Sequence, residues 1–132
     1  RCFEDPSAVD RCQANIFFFG VSKCGTTSLA HWMSEHPSLS YLTREGKADG
    51  IHESHVLDDP EEWHRKWKLM ALEKSATDNV MDYTPHYAMV AEVPYRIAKL
   101  YGEESYDGSV KYLVMLREPV SRFVSSWMFK FD

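Results

Sequence analysis

The sequence predicts an α/β fold built on a mostly parallel sheet. Two apolar runs, residues 16–19 (IFFF) and 111–116 (KYLVML), have the length and side chains of buried strands. Each runs straight into a polar turn and then an apolar-periodic segment, the strand–turn–helix order of a parallel unit. A shorter run, 79–82 (NVMD), supplies a third strand between them.

Length and composition bound the reading. The 132 residues suit one domain at most, and 44% hydrophobic with 14% aromatic content suits a packed core. The formal charge of −5 argues against a nucleic-acid partner, which usually meets a basic excess. No apolar run approaches the roughly 18 residues of a membrane span. The chain starts without Met and stops inside a helical pattern, so it is expected to be a piece of a longer protein. Its domain is then partial and its sheet incomplete.

Residues 1–15 are polar and read as an irregular lead-in. Cys2 and Cys12 are close enough in sequence to pair, which would suit a secretory compartment. Residues 16–29, IFFFGVSKCGTTSL, form the organising stretch. A strand, a glycine-hinged loop and a helix N-terminus place unpaired amides and the positive end of a helix dipole at one spot. Gly20 and Gly25 have the separation of a P-loop. However, Thr26 stands where the nucleotide-binding lysine belongs, and the lysine, Lys23, lies inside the loop. Cys24 could have a depressed thiol pKa there, or serve only as a small loop residue.

A helix is expected over 26–35, with Leu29, Trp32 and Met33 on one face, ended by Glu35-His36-Pro37. Leu39, Tyr41 and Leu42 suggest a short extended piece. Residues 43–62 lack apolar period and read as a long loop, of the kind that more often carries function than not. Its acid/base candidates are Glu45, His52, Glu53 and His55. His52 and His55 alone are a weak metal signal, since no third ligand is indicated by spacing. Residues 60–75 read as a helix with Pro60 at its start and Lys74 in its last turn. Residues 88–101 read as another, with Pro94 kinking or starting it and Gly102 stopping it. After strand 111–116, Arg117-Glu118-Pro119 leads into an amphipathic helix marked by Val120, Phe123, Val124 and Trp127. Arg117 thus sits at the strand edge where open α/β sheets bind ligands, and Ser125 is placed to share its crevice.

Gly20-Val21-Ser22-Lys23-Cys24-Gly25-Thr26-Thr27 resembles the 5′-phosphosulfate loop of sulfotransferases that use 3′-phosphoadenosine 5′-phosphosulfate (PAPS). Leu116-Arg117-Glu118-Pro119-Val120-Ser121-Arg122, with Ser125 beyond it, resembles the family's 3′-phosphate motif. His36-Pro37 is similar to the Golgi-type carbohydrate sulfotransferases of the heparan sulfate group. There a glutamate soon after His-Pro is the catalytic base, and Glu45 has that spacing. Met81-Asp82-Tyr83-Thr84-Pro85 resembles the group's E-K-S-P segment, with Asp82 for its glutamate and Tyr83 for its lysine. The group's aromatic K-E-x-H-F-F run is not matched after Glu45.

The resemblance implies a P-loop-like three-layer α/β/α fold and sulfuryl transfer from PAPS to a hydroxyl or amine, with a carbohydrate as the expected acceptor. It implies Lys23 and Glu45 as catalytic residues, with His52, Glu53 and His55 in reserve. Ser22, Lys23, Cys24, Gly25, Thr26, Thr27, Ser28, Arg117 and Ser125 are the implied cofactor contacts. No metal is expected. The implied setting is the Golgi lumen or secretory pathway, with any membrane tie through an anchor outside this sequence. Two alternatives stand beside it: an ATP-dependent P-loop phosphotransferase, and a non-catalytic nucleotide-binding fragment.

Overall fold

A computed structural model describes residues 2–4, 10–42, 51–69, 72–73 and 79–131. In chain order the elements are β1 (Cys2–Glu4), β2 (Asp10–Cys12), β3 (Ile16–Gly20), α1 (Thr26–Ser34), β4 (Leu39–Tyr41), α2 (Trp63–Leu69), β5 (Leu72–Glu73) and β6 (Asn79–Tyr83). A 3-10 turn (Pro85–Met89), α3 (Val93–Tyr101), a second 3-10 turn (Gly102–Ser105), β7 (Lys111–Met115) and α4 (Pro119–Phe129) follow. The fold is α/β, as the sequence predicts.

The central sheet has the order β4-β6-β3-β7, and every pairing in it is parallel. The chain steps from β3 outward to β4, returns to β6, and crosses to β7 on the other side of β3. The strand order therefore reverses between β3 and β7, the position where open α/β sheets form a ligand crevice. Alternate side chains of β3 serve opposite layers. Phe17 joins a core cluster with Trp63, Trp67, Val93 and Ile97, from α2 and α3. Phe18 joins a second cluster on the other face with Ala30 of α1, Tyr41, Met81 and Tyr83. Phe17 stacks on Trp67 and meets Tyr101 edge-on, with centroids 5.8 Å apart in both pairs.

Several elements differ from expectation, each for a physical reason. The lead-in read as irregular carries β1 and β2, which pair antiparallel with Cys2 opposite Cys12. Cys12 is disulfide-bonded, and Cys24 is free. The helix expected over 60–75 is shorter. Asp59 Oδ1 accepts hydrogen bonds from the amides of Glu61 (3.0 Å) and Glu62 (2.9 Å), a capped turn at Pro60 that leads into the helix at Trp63. Beyond Leu69, residues 72–73 pair with β2 instead of continuing the helix. Met70 and Lys74 of the expected helix lie outside the described residues. In the 88–101 segment Pro94 starts a helix, its missing amide falling where no intrahelical partner exists. Trp32 is 71% exposed while Leu29 and Met33 pack inward.

The largest departure is β7. Its apolar sequence reads as a buried strand, but it is the edge of the sheet and Val114 is 54% exposed. No residue of α4 is buried, and Phe123, Trp127 and Phe129 all face solvent.

Candidate functional site

The site grows from the end of β3. A Cβ on Gly20 would lie 2.6 Å from Thr26 Cγ2 and 3.2 Å from the Met115 carbonyl oxygen, so only glycine lets the loop fold back so closely. Lys23 (φ 70°) and Gly25 (φ 88°) take left-handed conformations that curl the loop into α1. Gly25 caps α1 without a side-chain hydrogen bond. The first helical bond runs from Leu29 N–H to the Gly25 carbonyl at 3.1 Å. The amides of Thr26, Thr27 and Ser28 precede it, at the positive end of the helix dipole, and suit an anion. Thr26 is buried, while Thr27 and Ser28 are exposed. Thr27 Oγ1 lies 3.2 Å from the Tyr83 hydroxyl. Cys24 is buried, so its side chain faces the protein rather than the loop's outer surface.

Five-residue pairing of β3 with β7 sets Gly20 opposite Met115 and brings Arg117 to the loop. Arg117 Nη1 donates to the Lys23 carbonyl oxygen at 3.1 Å. Glu118 caps α4, accepting from the amides of Val120 (2.9 Å) and Ser121 (2.7 Å). These backbone bonds hold its carboxyl below the usual range. Pro119 takes the helix-start position that suits its missing amide. A cavity of about 470 Å³ is lined by Ser22, Lys23, Gly25, Thr26, Thr27, Ser28, Arg117, Ser125 and Phe129, and also by Glu53 and Pro85. An adjoining cavity of about 610 Å³ shares Lys23, Arg117, Ser125 and Phe129 and continues along α4. Lys23 Nζ rests 3.8 Å above the centre of the Phe129 ring, a cation–π contact at the cavity wall.

Glu53 enters the cavity from the 51–59 loop. Glu45 lies outside the described residues. His52 is exposed. Behind Glu53 stands a chain of titratable groups. His55 Nε2 lies 3.0 Å from Glu53 Oε2, and His55 Nδ1 lies 2.7 Å from Asp58 Oδ2. His86 Nδ1 reaches the same Asp58 oxygen at 3.0 Å. Burial pushes the Asp58 carboxyl up, but hydrogen bonds from His55 and His86 outweigh it and hold the group below its usual range.

The loop is fixed from beneath. Ser54 Oγ donates to Asp82 Oδ1 at 2.6 Å, and Thr84 Oγ1 donates to the same oxygen at 3.0 Å. The Tyr87 hydroxyl donates to Asp82 Oδ2 at 3.0 Å while accepting the amides of Val56 (3.1 Å) and Leu57 (3.0 Å). Arg96 Nη1 donates to the carbonyls of Leu57 and Asp59. Asp82 is fully buried, and burial lifts its pKa to about 6 against the pull of its three hydroxyl donors. Its proximity to Asp58 adds to the rise. Asp82 therefore supports the loop from inside the core, while Pro85 of the same segment lines the cavity.

Asp58 and His86 escaped the sequence reading. Asp58 had a signal: Glu53-Ser54-His55 repeats the E-x-H of the K-E-x-H-F-F run, with Val56 and Leu57 in place of the phenylalanines and Asp58 next. His86 had none, because it meets Asp58 only through the fold.

No family model matches the chain. Heparan sulfate glucosamine 3-O-sulfotransferase 5 of Mus musculus and that of Homo sapiens are each 29% identical to it over 114 residues. The match covers 82% of this chain and 28% of each relative, so the chain spans little more than a quarter of their length. The match and the strand–loop–helix at Lys23 point the same way, to similarity with the sulfotransferases.

Proposed function

We propose that this chain carries the sulfuryl-donor site and the proton-accepting group of a PAPS-dependent sulfotransferase acting on a carbohydrate hydroxyl. One observation carries the reading. Lys23, the open amides of α1, Arg117, Ser125 and a carboxylate, Glu53, line a single cavity at the sheet's switch point. A bisphosphorylated nucleotide needs two anion sites a nucleoside apart. The α1 N-terminus and the Arg117–Ser125 pair supply them.

The residues present fit such a donor. Thr26, Thr27 and Ser28 offer amides and hydroxyls to a 5′-phosphate. Arg117 offers a planar guanidinium to a 3′-phosphate. Lys23, at the same cavity wall, would neutralise charge developing on the phosphate oxygen as the S–O bond breaks. Stabilisation of this kind is commonly the largest single contribution to such transfers.

Glu53 is the proposed base, in place of Glu45. It lies in the same cavity as Lys23, and it has an outlet for the proton it takes. His55 Nε2 lies 3.0 Å from Glu53 Oε2, close enough for the two groups to share one proton. The acceptor's proton can pass to Glu53 and be shared with His55. The acceptor oxygen, losing its proton to Glu53, would attack sulfur, and adenosine 3′,5′-bisphosphate would leave as the S–O bond breaks. The carbohydrate acceptor is supported by the similar heparan sulfate glucosamine 3-O-sulfotransferases, and the secretory setting by the disulfide-bonded Cys12.

Calorimetric titration with adenosine 3′,5′-bisphosphate, beside ATP and adenosine 5′-monophosphate, tests the reading. Selective binding of the bisphosphate is expected. Equal or tighter binding of ATP would move the protein to the phosphotransferases.

A further inference from the structure

We propose that His55, Asp58 and His86 form a three-ligand site for a divalent transition cation of the zinc class. Two imidazole nitrogens and one carboxylate oxygen converge: the two Nδ1 atoms both aim at Asp58 Oδ2, and all three atoms lie within 4.8 Å of one another. Two nitrogens and one oxygen are a borderline donor set that favours zinc over hard cations such as calcium or magnesium. Three protein ligands leave a fourth position, and the two half-exposed histidine rings leave it open to water.

The geometry needs little adjustment. In a tetrahedral site with bonds of about 2.0–2.2 Å, ligand atoms sit roughly 3.3 Å apart. The hydrogen-bonded distances here are 2.7 and 3.0 Å, so each ring backs away by about half an ångström as a cation enters. The surroundings are those of a metal ligand shell. His55 directs its far nitrogen at Glu53 Oε2, the carboxylate–histidine arrangement that orients ligating imidazoles. Asp58 follows Leu57, whose amide and carbonyl are held by Tyr87 and Arg96. His86 stands on the 3-10 turn Pro85–Met89, whose Tyr87 is anchored to Asp82. The three ligands are thus carried by backbone fixed before any cation arrives.

Occupancy has a chemical consequence for the neighbouring base. A cation on Nδ1 of His55 fixes the ring proton on Nε2, and that nitrogen then donates to Glu53 and can take no proton from it. The cation would close the proton outlet of the transfer site. This consequence rests on the proposed sulfotransferase reading; the cation site itself does not.

The test is a titration of tag-free, chelator-treated protein with ZnCl2 by calorimetry and with CoCl2 by visible absorption. One equivalent should bind, with the intense d–d bands of four-coordinate cobalt. His86→Ala should abolish both signals, and Glu53→Gln should weaken binding by roughly 10–100-fold. His64→Ala, an exposed histidine on α2, should change neither. Imidazole nitrogen NMR of the unaltered protein provides a readout that needs no variant. Zinc should shift Nδ1 of His55 and His86 and place the His55 proton on Nε2. Absence of stoichiometric binding, or binding that survives His86→Ala with unshifted His55 and His86 nitrogens, would overturn the site. Bisphosphate affinity measured in the same samples reports separately on the donor site.

Discussion

Arg117 Nη1 donates to the carbonyl oxygen of Lys23 at 3.1 Å, joining residues 94 positions apart in the chain. The bond ties the end of β7 to the loop after β3 and sets two cations on one cavity wall. Both side chains are placed by backbone: Lys23 by its left-handed φ, Arg117 by the ladder that pairs Gly20 with Met115.

Arg117→Ala should therefore weaken adenosine 3′,5′-bisphosphate by roughly 10–100-fold, the scale of one lost charge-assisted pair. Arg117→Lys should recover part of this, because a point charge replaces a planar fork. Adenosine 5′-monophosphate, lacking the 3′-phosphate, should bind both variants as it binds wild type. A uniform loss for both nucleotides in calorimetry would assign Arg117 to shaping the loop instead of holding the 3′-phosphate.

Glu53 and Lys23 should separate binding from chemistry. In a sulfuryl-transfer assay, Glu53→Gln is expected to lower kcat by about 10²–10⁴ while leaving bisphosphate affinity within a few-fold. Lys23→Met should also act mainly on kcat, since its charge matters most as the S–O bond breaks. A rise in KM with unchanged kcat in Glu53→Gln would reduce that residue to an acceptor contact.

Much of this site was legible because its signals are local. The loop at 20–28 is a contiguous pattern whose glycine spacing and displaced lysine can be read by eye. Pro119 announces a helix start in the same way. What the sequence did not report is set by neighbours in space. The run 111–116 has the composition of a buried strand, but burial is decided by neighbours, and β7 has one on only one side. The 60–75 helix was read through to Lys74 on its apolar stripe, although residues 72–73 find strand partners at 11 and 12. Glu45, chosen by its spacing from His36-Pro37, lies outside the described residues, while the reserve candidate Glu53 shares a cavity with Lys23. His86 is 28 residues from Asp58, a separation no periodicity reports.

The buried Asp82 gives a pH signature. Its folded pKa is raised to about 6 by burial, above the usual carboxylate value. The folded state therefore holds the proton more tightly than the unfolded chain. This contribution is fully present below the unfolded pKa and is lost as pH rises through about 6. Urea unfolding free energies of wild type minus those of Asp82→Asn should fall by on the order of 2–3 kcal/mol between about pH 4 and pH 7.5. Histidine titrations are common to both proteins and drop out of the difference. Parallel curves would mean that Asp82 carries no such proton.

Gly20 tests whether the loop's close return is essential to the site. A methyl group there would meet Thr26 Cγ2 at 2.6 Å, with the Met115 carbonyl oxygen 3.2 Å away. Thr26 is buried, so it has little room to retreat without moving the first turn of α1. Gly20→Ala should cost about 1–3 kcal/mol of stability, the usual scale of overpacking. It should also weaken bisphosphate and monophosphate binding alike, because the displaced amides serve the 5′-phosphate that both carry. Gly20→Ala combined with Thr26→Ser removes the clashing methyl and should restore stability and both affinities together. If the double variant regains stability but not nucleotide binding, then the Thr26 methyl or its placement contributes to the anion site directly, and the loop's geometry is not set by the Gly20 approach alone.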